Sequence, residues 1–169
     1  MPLPKFLALV SGAITEVVAT VAGGAGNADK LVATDASGRI DATLMPTGIG
    51  ADTATVPASE ALAAGNLVNV WNDAGTARAR KADASTTGKE AHGFVLAAAA
   101  SGANATVYFE GTDAQLTGMT PGPVYLSDTV PGGVTAAAPA GAGKIVQKVG
   151  FAVSATTLNF QAGEPVVRA

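Results

Sequence analysis

The sequence of 169 residues contains no cysteine and only one histidine, His92. Without cysteine the chain forms no disulfide bonds and no thiolate metal site, and the redox compartment cannot be inferred from cysteine usage. A metal site built from several histidines is also excluded, because His92 has no second histidine to join it.

Charged and aromatic residues are scarce as well. Only 14% of the residues are charged and 5% are aromatic, although 48% are hydrophobic. A globular protein has on average about 25% charged residues. The apolar content is mostly alanine and valine, so the surface is weakly hydrated. Such a surface favours burial against neighbouring subunits, with a small alanine-rich monomer as the alternative.

The charges that are present exclude some partners. Ten basic and thirteen acidic residues give a net charge of −3. The only basic cluster is Arg78, Arg80 and Lys81, which is typical of a solvated strand face and too small to follow a phosphate backbone. No run approaches the ~20 apolar residues of a membrane span, and Phe6–Val10 is shorter than the ~7 to 15 residues of a signal-peptide core. We therefore expect neither a nucleic acid nor a membrane as partner.

Catalytic motifs are incomplete. Ser85, His92 and Asp83 supply the residue types of a hydrolase triad, but no nucleophile-elbow sequence surrounds any serine. A structural role is thus the preferred interpretation of His92. Paired carboxylates for glycoside hydrolysis remain open, because thirteen acidic residues allow many pairs and no motif singles one out.

Two further motifs resemble ligand loops without completing them. Gly141-Ala-Gly-Lys144 resembles the end of a phosphate-binding loop, but Ala138 stands where a glycine is required and Ile145 where a serine or threonine is required. Asp35–Asp41 lacks the alternating ligands and closing glutamate of a calcium loop and is predicted to be a turn. We predict no enzyme activity, no cofactor and no metal.

From about residue 54 the spacing of β-prone segments and turn residues is typical of an antiparallel β protein. Short β-prone segments alternate with Gly, Pro, Asn and Asp at intervals of roughly ten residues. The clearest hairpin joins Leu67–Trp71 to Ala77–Ala82 through a turn at 72–75. Further strands are predicted at 91–96, 105–110, 123–126, 133–135, 144–147, 149–153, 157–160 and 165–168. The predicted core is Val68, Val70, Phe94, Leu96, Val107, Phe109, Leu126, Val146, Phe151, Val153 and Phe160.

Residues 1–53 are predicted to be an extended, β-rich N-terminal arm. Phe6–Val10 and Ile14–Val21 read as strands around Ser11-Gly12, although a helix over 13–21 remains possible. Lys30–Pro46 reads as a short strand, a turn at Asp35–Gly38 and a second short strand. These residues contain too few large apolar side chains to form a core, so the arm needs a partner surface.

Several short segments of the sequence resemble segments of small virion proteins of tailed bacteriophages. They are Lys30–Pro46, Ser59–Val68, Arg80–Asp83, Ala91–Val95, Pro121–Leu126, Pro131–Val134 and Ile145–Gly150. Similar turn and strand phrases, in this order, occur in capsid decoration (cement) and head-fibre proteins. The resemblance implies an all-β fold, a small antiparallel β-barrel or sandwich with an extended N-terminal arm. It also implies a homotrimer that binds the phage major capsid protein on the outer capsid surface of the virion.

On that interpretation the arm, residues 1–53, attaches the body, residues 54–169, to the capsid or to sister subunits. The expected function is reinforcement of the capsid lattice, with a head- or tail-fibre attachment subunit as the alternative. The proposed assembly-interface residues are Phe6, Leu7, Leu9, Ile14, Val17, Leu44 and Met45. The competing interpretation is that these side chains pack on the chain's own body.

Overall fold

The computed structural model describes residues 5–45 and 50–169. Within them the regular structure consists of fourteen strands and two single-turn 3₁₀ helices, which confirms the all-β class. The chain divides into two compact units, Met1–Gly50 and Ala51–Ala169. The arm was expected to run to residue 53.

The first unit begins with a β-hairpin. Strand β1 (Lys5–Val10) pairs antiparallel with strand β2 (Ala13–Val18) through a two-residue turn at Ser11-Gly12. Both turn residues have positive φ, 51° and 83°, as the favoured two-residue hairpin turn requires. The helix considered for 13–21 is therefore wrong, because the β-branched side chains of β2 suit a pleated strand better than a helix.

The segment 30–46 agrees with its prediction only in part. Asp35 forms the expected turn, with its Oδ1 accepting hydrogen bonds from the backbone N–H groups of Ser37 and Arg39. Val32 makes one bridge to Thr20, but no second strand follows the turn. The chain instead forms a 3₁₀ turn, Ala42–Leu44, after Asp41. The predicted end at Pro46 lies outside the described residues.

The second unit contains a five-stranded antiparallel sheet, which we call sheet I. Its order is β3-β7-β6-β4-β5. The strands are β3 (Thr53–Pro57), β4 (Leu67–Asp73), β5 (Thr76–Lys81), β6 (Gly93–Val95) and β7 (Asn104–Tyr108). Strands β4 and β5 form the predicted hairpin, turning at Ala74-Gly75, and β3 is the one strand of this sheet that the sequence did not predict.

A second five-stranded sheet, sheet II, has the order β10-β9-β12-β13-β8. Its strands are β8 (Glu110–Asp113), β9 (Gly122–Leu126), β10 (Val134–Thr135), β12 (Lys148–Ala152) and β13 (Leu158–Gln161), while β11 (Ile145–Val146) and β14 (Val166–Val167) form a separate pair. The predicted strand 105–110 is divided between β7 in sheet I and β8 in sheet II, with Phe109 between them.

Two apolar clusters hold the second unit together. The larger contains Leu67 and Phe94 from sheet I and Leu126, Leu158 and Phe160 from sheet II. Side chains of both sheets therefore share one core, an arrangement compatible with a β-sandwich.

The smaller cluster lies on the other face of sheet I and includes Val68, Val95 and Val107. A single bridge from Ala58 to Ala79 links the region after β3 to β5. Within the described residues no sheet closes into a barrel, so the sandwich is the alternative that fits.

Five of the eleven predicted core residues, Val68, Phe94, Val107, Leu126 and Phe160, are buried. Val70, Leu96 and Phe109 are half-buried against the two clusters, and Val146 is half-buried outside them.

The other two residues of the predicted core were predicted wrongly. Phe151 and Val153 are 49% and 62% exposed. A β-bulge causes this: Lys148 pairs with Tyr125 on β9 but Gly150 pairs with the next residue, Val124, so Val149 is an extra residue. The extra residue reverses the in–out alternation that the sequence implies, and Phe151 faces outward.

Candidate docking surface

One face of hairpin β1–β2 is apolar and exposed. Leu7, Leu9 and Ile14 are 74%, 73% and 74% exposed, and Leu9 lies directly opposite Ile14 in the ladder. Val18 is on the same face and is 36% exposed. Opposed residues of an antiparallel pair point to the same side, so these side chains form one continuous patch, which we call face A.

The other face of the hairpin, face B, is apolar too. Phe6 lies opposite Val17, and both are half-buried, while Val10 is 49% exposed. Ala8, Thr15 and Ala13 complete this side of the ladder. A strand with one face on a core alternates apolar and polar residues, whereas here both faces are largely apolar.

The hairpin carries little charge. Lys5 Nζ lies 3.1 Å from Glu16 Oε2 on face A, and both side chains are more than half exposed. An exposed pair of this kind contributes at most about 1 kcal/mol. The two charges cancel, so a partner would recognise the hairpin mainly by its apolar side chains.

The rest of the first unit is held by backbone contacts. The N–H of Thr20 donates to Leu31 O at 2.9 Å, and the N–H of Ala33 donates to Thr20 O at 2.7 Å. Gly23 donates to Thr43 Oγ1 at 2.7 Å, and a Cβ on Gly23 would lie 2.2 Å from Thr43 O. Only glycine allows this approach.

Asp41 fixes the turn that carries the last two predicted interface residues. Its Oδ1 accepts hydrogen bonds from the hydroxyl and the backbone N–H of Thr43, and these bonds lower the pKa of the Asp41 carboxyl below its usual value. Leu44 is half-buried and Met45 is 42% exposed. The seven predicted residues thus fall into three places: face A, face B and this turn.

Sequence reasoning missed five exposed apolar residues of the same unit: Val10 and Val18 on the hairpin, and Leu31, Val32 and Ile40 beyond it. Leu31, Val32 and Ile40 are 57%, 52% and 57% exposed, yet they flank a turn that we interpreted as part of a strand pair. The available signal was the scarcity of large apolar residues before Gly50, because a segment without a core cannot bury the few that it has.

An exposed apolar hairpin is unfavourable in water. A two-stranded hairpin is only marginally stable by itself. Burial of one large aliphatic side chain contributes about 1.5 to 3 kcal/mol. Docking of face A, with three such residues about three-quarters exposed, therefore has a substantial driving force.

The catalytic candidates have structural contacts in the second unit. His92 Nδ1 accepts a hydrogen bond from the backbone N–H of Val70 at 3.1 Å. The backbone N–H of His92 donates to Val68 O at 2.8 Å. Asp83 Oδ1 accepts the N–H of Ser85 at 2.8 Å, forming a local turn. His92 thereby prolongs the pairing of β4 beyond β6.

The basic cluster is also engaged within the chain. Arg80 lies 4.6 Å over the ring of Trp71, and its Nε donates to the buried Oδ1 of Asn69 at 3.0 Å. Arg78 pairs with Asp73 across the hairpin end, 3.0 Å apart. These guanidinium groups stabilise the β4–β5 hairpin.

Lys144, the lysine of the incomplete phosphate loop, donates to Asp128 Oδ2. This hydrogen bond lowers the pKa of the Asp128 carboxyl. Among residues 5–45 and 50–169 no group of three His, Asp or Glu side chains is placed to hold a metal ion. In the same ranges, no helix has the length and apolar character needed to span a membrane.

The exposed hairpin is therefore the most unusual surface of the first unit, and its side chains suit contact with another protein. No protein-family model matches this sequence, and neither a curated protein nor a solved structure is significantly similar to it.

Proposed function

We propose that this chain is a structural protein of a tailed-phage virion that binds the outer surface of the capsid and reinforces the lattice of the major capsid protein. The observation that carries the proposal is hairpin β1–β2, which exposes apolar side chains on both of its faces. The resemblance of several turn and strand segments to those of decoration proteins supports the choice of the major capsid protein as partner.

Two apolar faces require two covering surfaces. In the proposed assembly, face A, with Leu7, Leu9 and Ile14, docks on the capsid protein. Face B, with Phe6 and Val17, packs against a sister subunit of a homotrimer. Each contact is modest by itself, and the many equivalent sites of a capsid together with three linked hairpins raise the overall affinity.

The second unit suits the exposed position of a decoration protein. Its two buried clusters and its paired strands form a body that does not depend on a ligand for its core. The low share of charged residues favours close approach to a protein surface. The hairpin supplies attachment, and the body covers the lattice.

The first experiment measures copy number and position on purified virions by cryo-electron microscopy and quantitative mass spectrometry. Hundreds of copies at capsid three-fold or quasi-three-fold positions are expected. A few copies at the tail or at one vertex would indicate a fibre attachment subunit and would contradict the decoration role. Absence from virions would overturn both.

A second experiment tests face A directly. The double substitution Leu7→Asp and Leu9→Asp should abolish binding to capsids assembled without this protein, because two charges would be buried at the interface. Val130→Asp is the matched control, since Val130 is 59% exposed but lies in the second unit. Retained binding of the double variant would contradict docking through face A.

Face B is tested by the oligomeric state. Phe6→Asp with Val17→Asp should convert a trimer to a monomer in light scattering, while the Leu7 and Leu9 variant remains trimeric. A monomeric wild-type chain, or a trimer that survives the face B substitutions, would contradict this part of the proposal.

A further inference from the structure

The outer face of sheet II carries a groove that contains an aromatic ring and a row of amides. Phe151 on β12 lies opposite Asn159 on β13, which lies opposite Thr112 on β8. Gln161 follows Asn159 on the same face and lies opposite Glu110. All five residues are exposed, although Lys148 lies against one side of the Phe151 ring.

A bulge in β12 shapes this face. Because Val149 is an extra residue, Lys148 and Phe151 point to the same side, and Lys148 Nζ lies 3.8 Å from the centroid of the Phe151 ring. Gly150 makes the bulge possible: its φ is 139°, and a Cβ there would lie 2.0 Å from Asn159 O. Bulges frequently serve to re-aim a side chain at a functional site.

The groove consists of two adjoining cavities that are open to the surface. One, of about 380 Å³, is lined by Lys148, Phe151 and Glu164. The other, of about 430 Å³, is lined by Asp52 and Glu110. Both are bordered by Asn159 and Gln161, so the amides lie where the cavities meet. Each volume is within the range of small-ligand sites.

The lining excludes several classes of ligand. Three acidic residues, Asp52, Glu110 and Glu164, line the groove together with one lysine, Lys148, so an anionic ligand or a nucleic acid is repelled. A lipid would leave the amides and carboxylates without partners. A peptide that adds a strand would run along the edge strand β8, whereas this groove runs across the strands from β12 to β8.

An uncharged oligosaccharide fits the same lining. A pyranose ring offers apolar C–H faces, which an exposed aromatic ring covers, and hydroxyl groups that both donate and accept. Asn and Gln amides also donate and accept, and carboxylates accept. We propose that Phe151, Asn159, Gln161, Glu110 and Glu164 form a binding site for a neutral oligosaccharide of hexose or N-acetylhexosamine units. This inference does not depend on the proposed capsid role.

The test is binding of the purified full chain to an array of neutral and acidic oligosaccharides, followed by calorimetric titration with the neutral glycan bound best. We expect neutral glycans to bind and Phe151→Ala to weaken that binding about ten-fold or more, because the stacking surface is lost. Asn159→Ala should weaken it as well. Both residues are exposed, so thermal unfolding should remain close to that of the wild type.

Val153→Ala is the matched control, because Val153 is an exposed apolar residue just beyond β12 and does not line the groove. It should bind like the wild type. Binding of no neutral glycan on the array, preference for acidic glycans, or equal affinity of the Phe151→Ala variant would overturn the proposal. A virion protein that fails this test would retain its proposed place on the capsid.

Discussion

Gln147 joins the two parts of the sandwich through Ala91. Its side-chain Oε1 accepts the N–H of Ala91 at 2.8 Å, and its Nε2 donates to Ala91 O at 2.9 Å and to Gly163 O at 3.1 Å. Gln147 is 2% exposed and Ala91 is fully buried. The side-chain amide of Gln147 thus pairs with both the N–H and the C=O of Ala91. Ala91 lies just before β6 of sheet I, and Gln147 lies just before β12 of sheet II.

Replacement of this amide should be costly. Gln147→Leu leaves the buried N–H and C=O of Ala91 without partners, and each such group costs about 1 to 3 kcal/mol. We expect the free energy of unfolding to fall by about 2 to 4 kcal/mol in urea titration. Gln161→Leu, at an exposed site on β13, should change it by less than about 0.5 kcal/mol. Equal effects of the two variants would show that the Gln147 bonds contribute little.

Asp113 should make stability depend on pH. It is fully buried, its Oδ1 accepts the N–H of Gln115 at 2.9 Å, and its Oδ2 has no hydrogen-bond partner among residues 5–45 and 50–169. Burial raises the pKa of the Asp113 carboxyl above its ordinary value of 3.8, and the Gln115 bond opposes this. The folded state therefore binds a proton at Asp113 more readily than the unfolded chain does.

It follows that the contribution of Asp113 to stability decreases as the pH rises from 3.8 through the higher folded pKa. Asp113→Asn keeps an acceptor for Gln115 and removes the charge. The stability of the variant relative to the wild type should increase with pH over this interval and then become constant, as measured by urea unfolding at a series of pH values. A difference that is flat from acid to neutral pH would contradict the assignment.

Gly150 should tolerate no side chain. A Cβ at this position would lie 2.0 Å from Asn159 O, and the backbone φ of 139° is unsuited to an L-residue. Gly150→Ala should therefore reduce the free energy of unfolding by about 3 kcal/mol or more. Gly102 has a positive φ of 83° but open space around it, so Gly102→Ala separates the backbone effect from the clash and should cost about 1 kcal/mol. Similar costs for both would mean that sheet II shifts to accept the new methyl group.

The β4–β5 turn should accept a stabilising change. Ala74 has a φ of 50° and precedes Gly75 with a φ of 91°. Alanine in this conformation is strained, whereas Asn-Gly is the preferred pair for a two-residue hairpin turn. Ala74→Asn should raise the free energy of unfolding by about 0.5 to 1 kcal/mol. Ala77→Asn, on the exposed part of β5, should lower it, because Asn is a poor strand residue. Thermal unfolding of both variants checks the opposite signs.

Local sequence was sufficient for most strands of the second unit. Leu67–Trp71 and Ala77–Ala82 could be paired because alternating residues flank a short turn with glycine. Strands β9 and β13 could be located because valine, leucine and phenylalanine alternate between Gly- and Pro-rich turns. These signals act over fewer than about ten residues, the range over which strand and turn preferences operate.

The hairpin was also accessible from sequence, but its surroundings were not. The sequence indicated two strands around Ser11-Gly12 and interface residues on both of them, but their division into face A and face B came only from the observed register. Whether a partner covers either face depends on the surface of another protein, which this sequence does not describe. Leu31, Val32 and Ile40 were missed because their exposure reflects the absence of a strand pair after Asp35.

The amino-acid sequence by itself determined the all-β class, the positions of the turns and most of the strands, because each depends on neighbouring residues. Tertiary structure alone decided that Phe151 faces outward, that Gln147 bonds to Ala91 fifty-six positions away, and that Asp113 is buried without a full set of partners. These features depend on the register between strands distant in the chain, where one extra residue, Val149, reverses every side chain that follows.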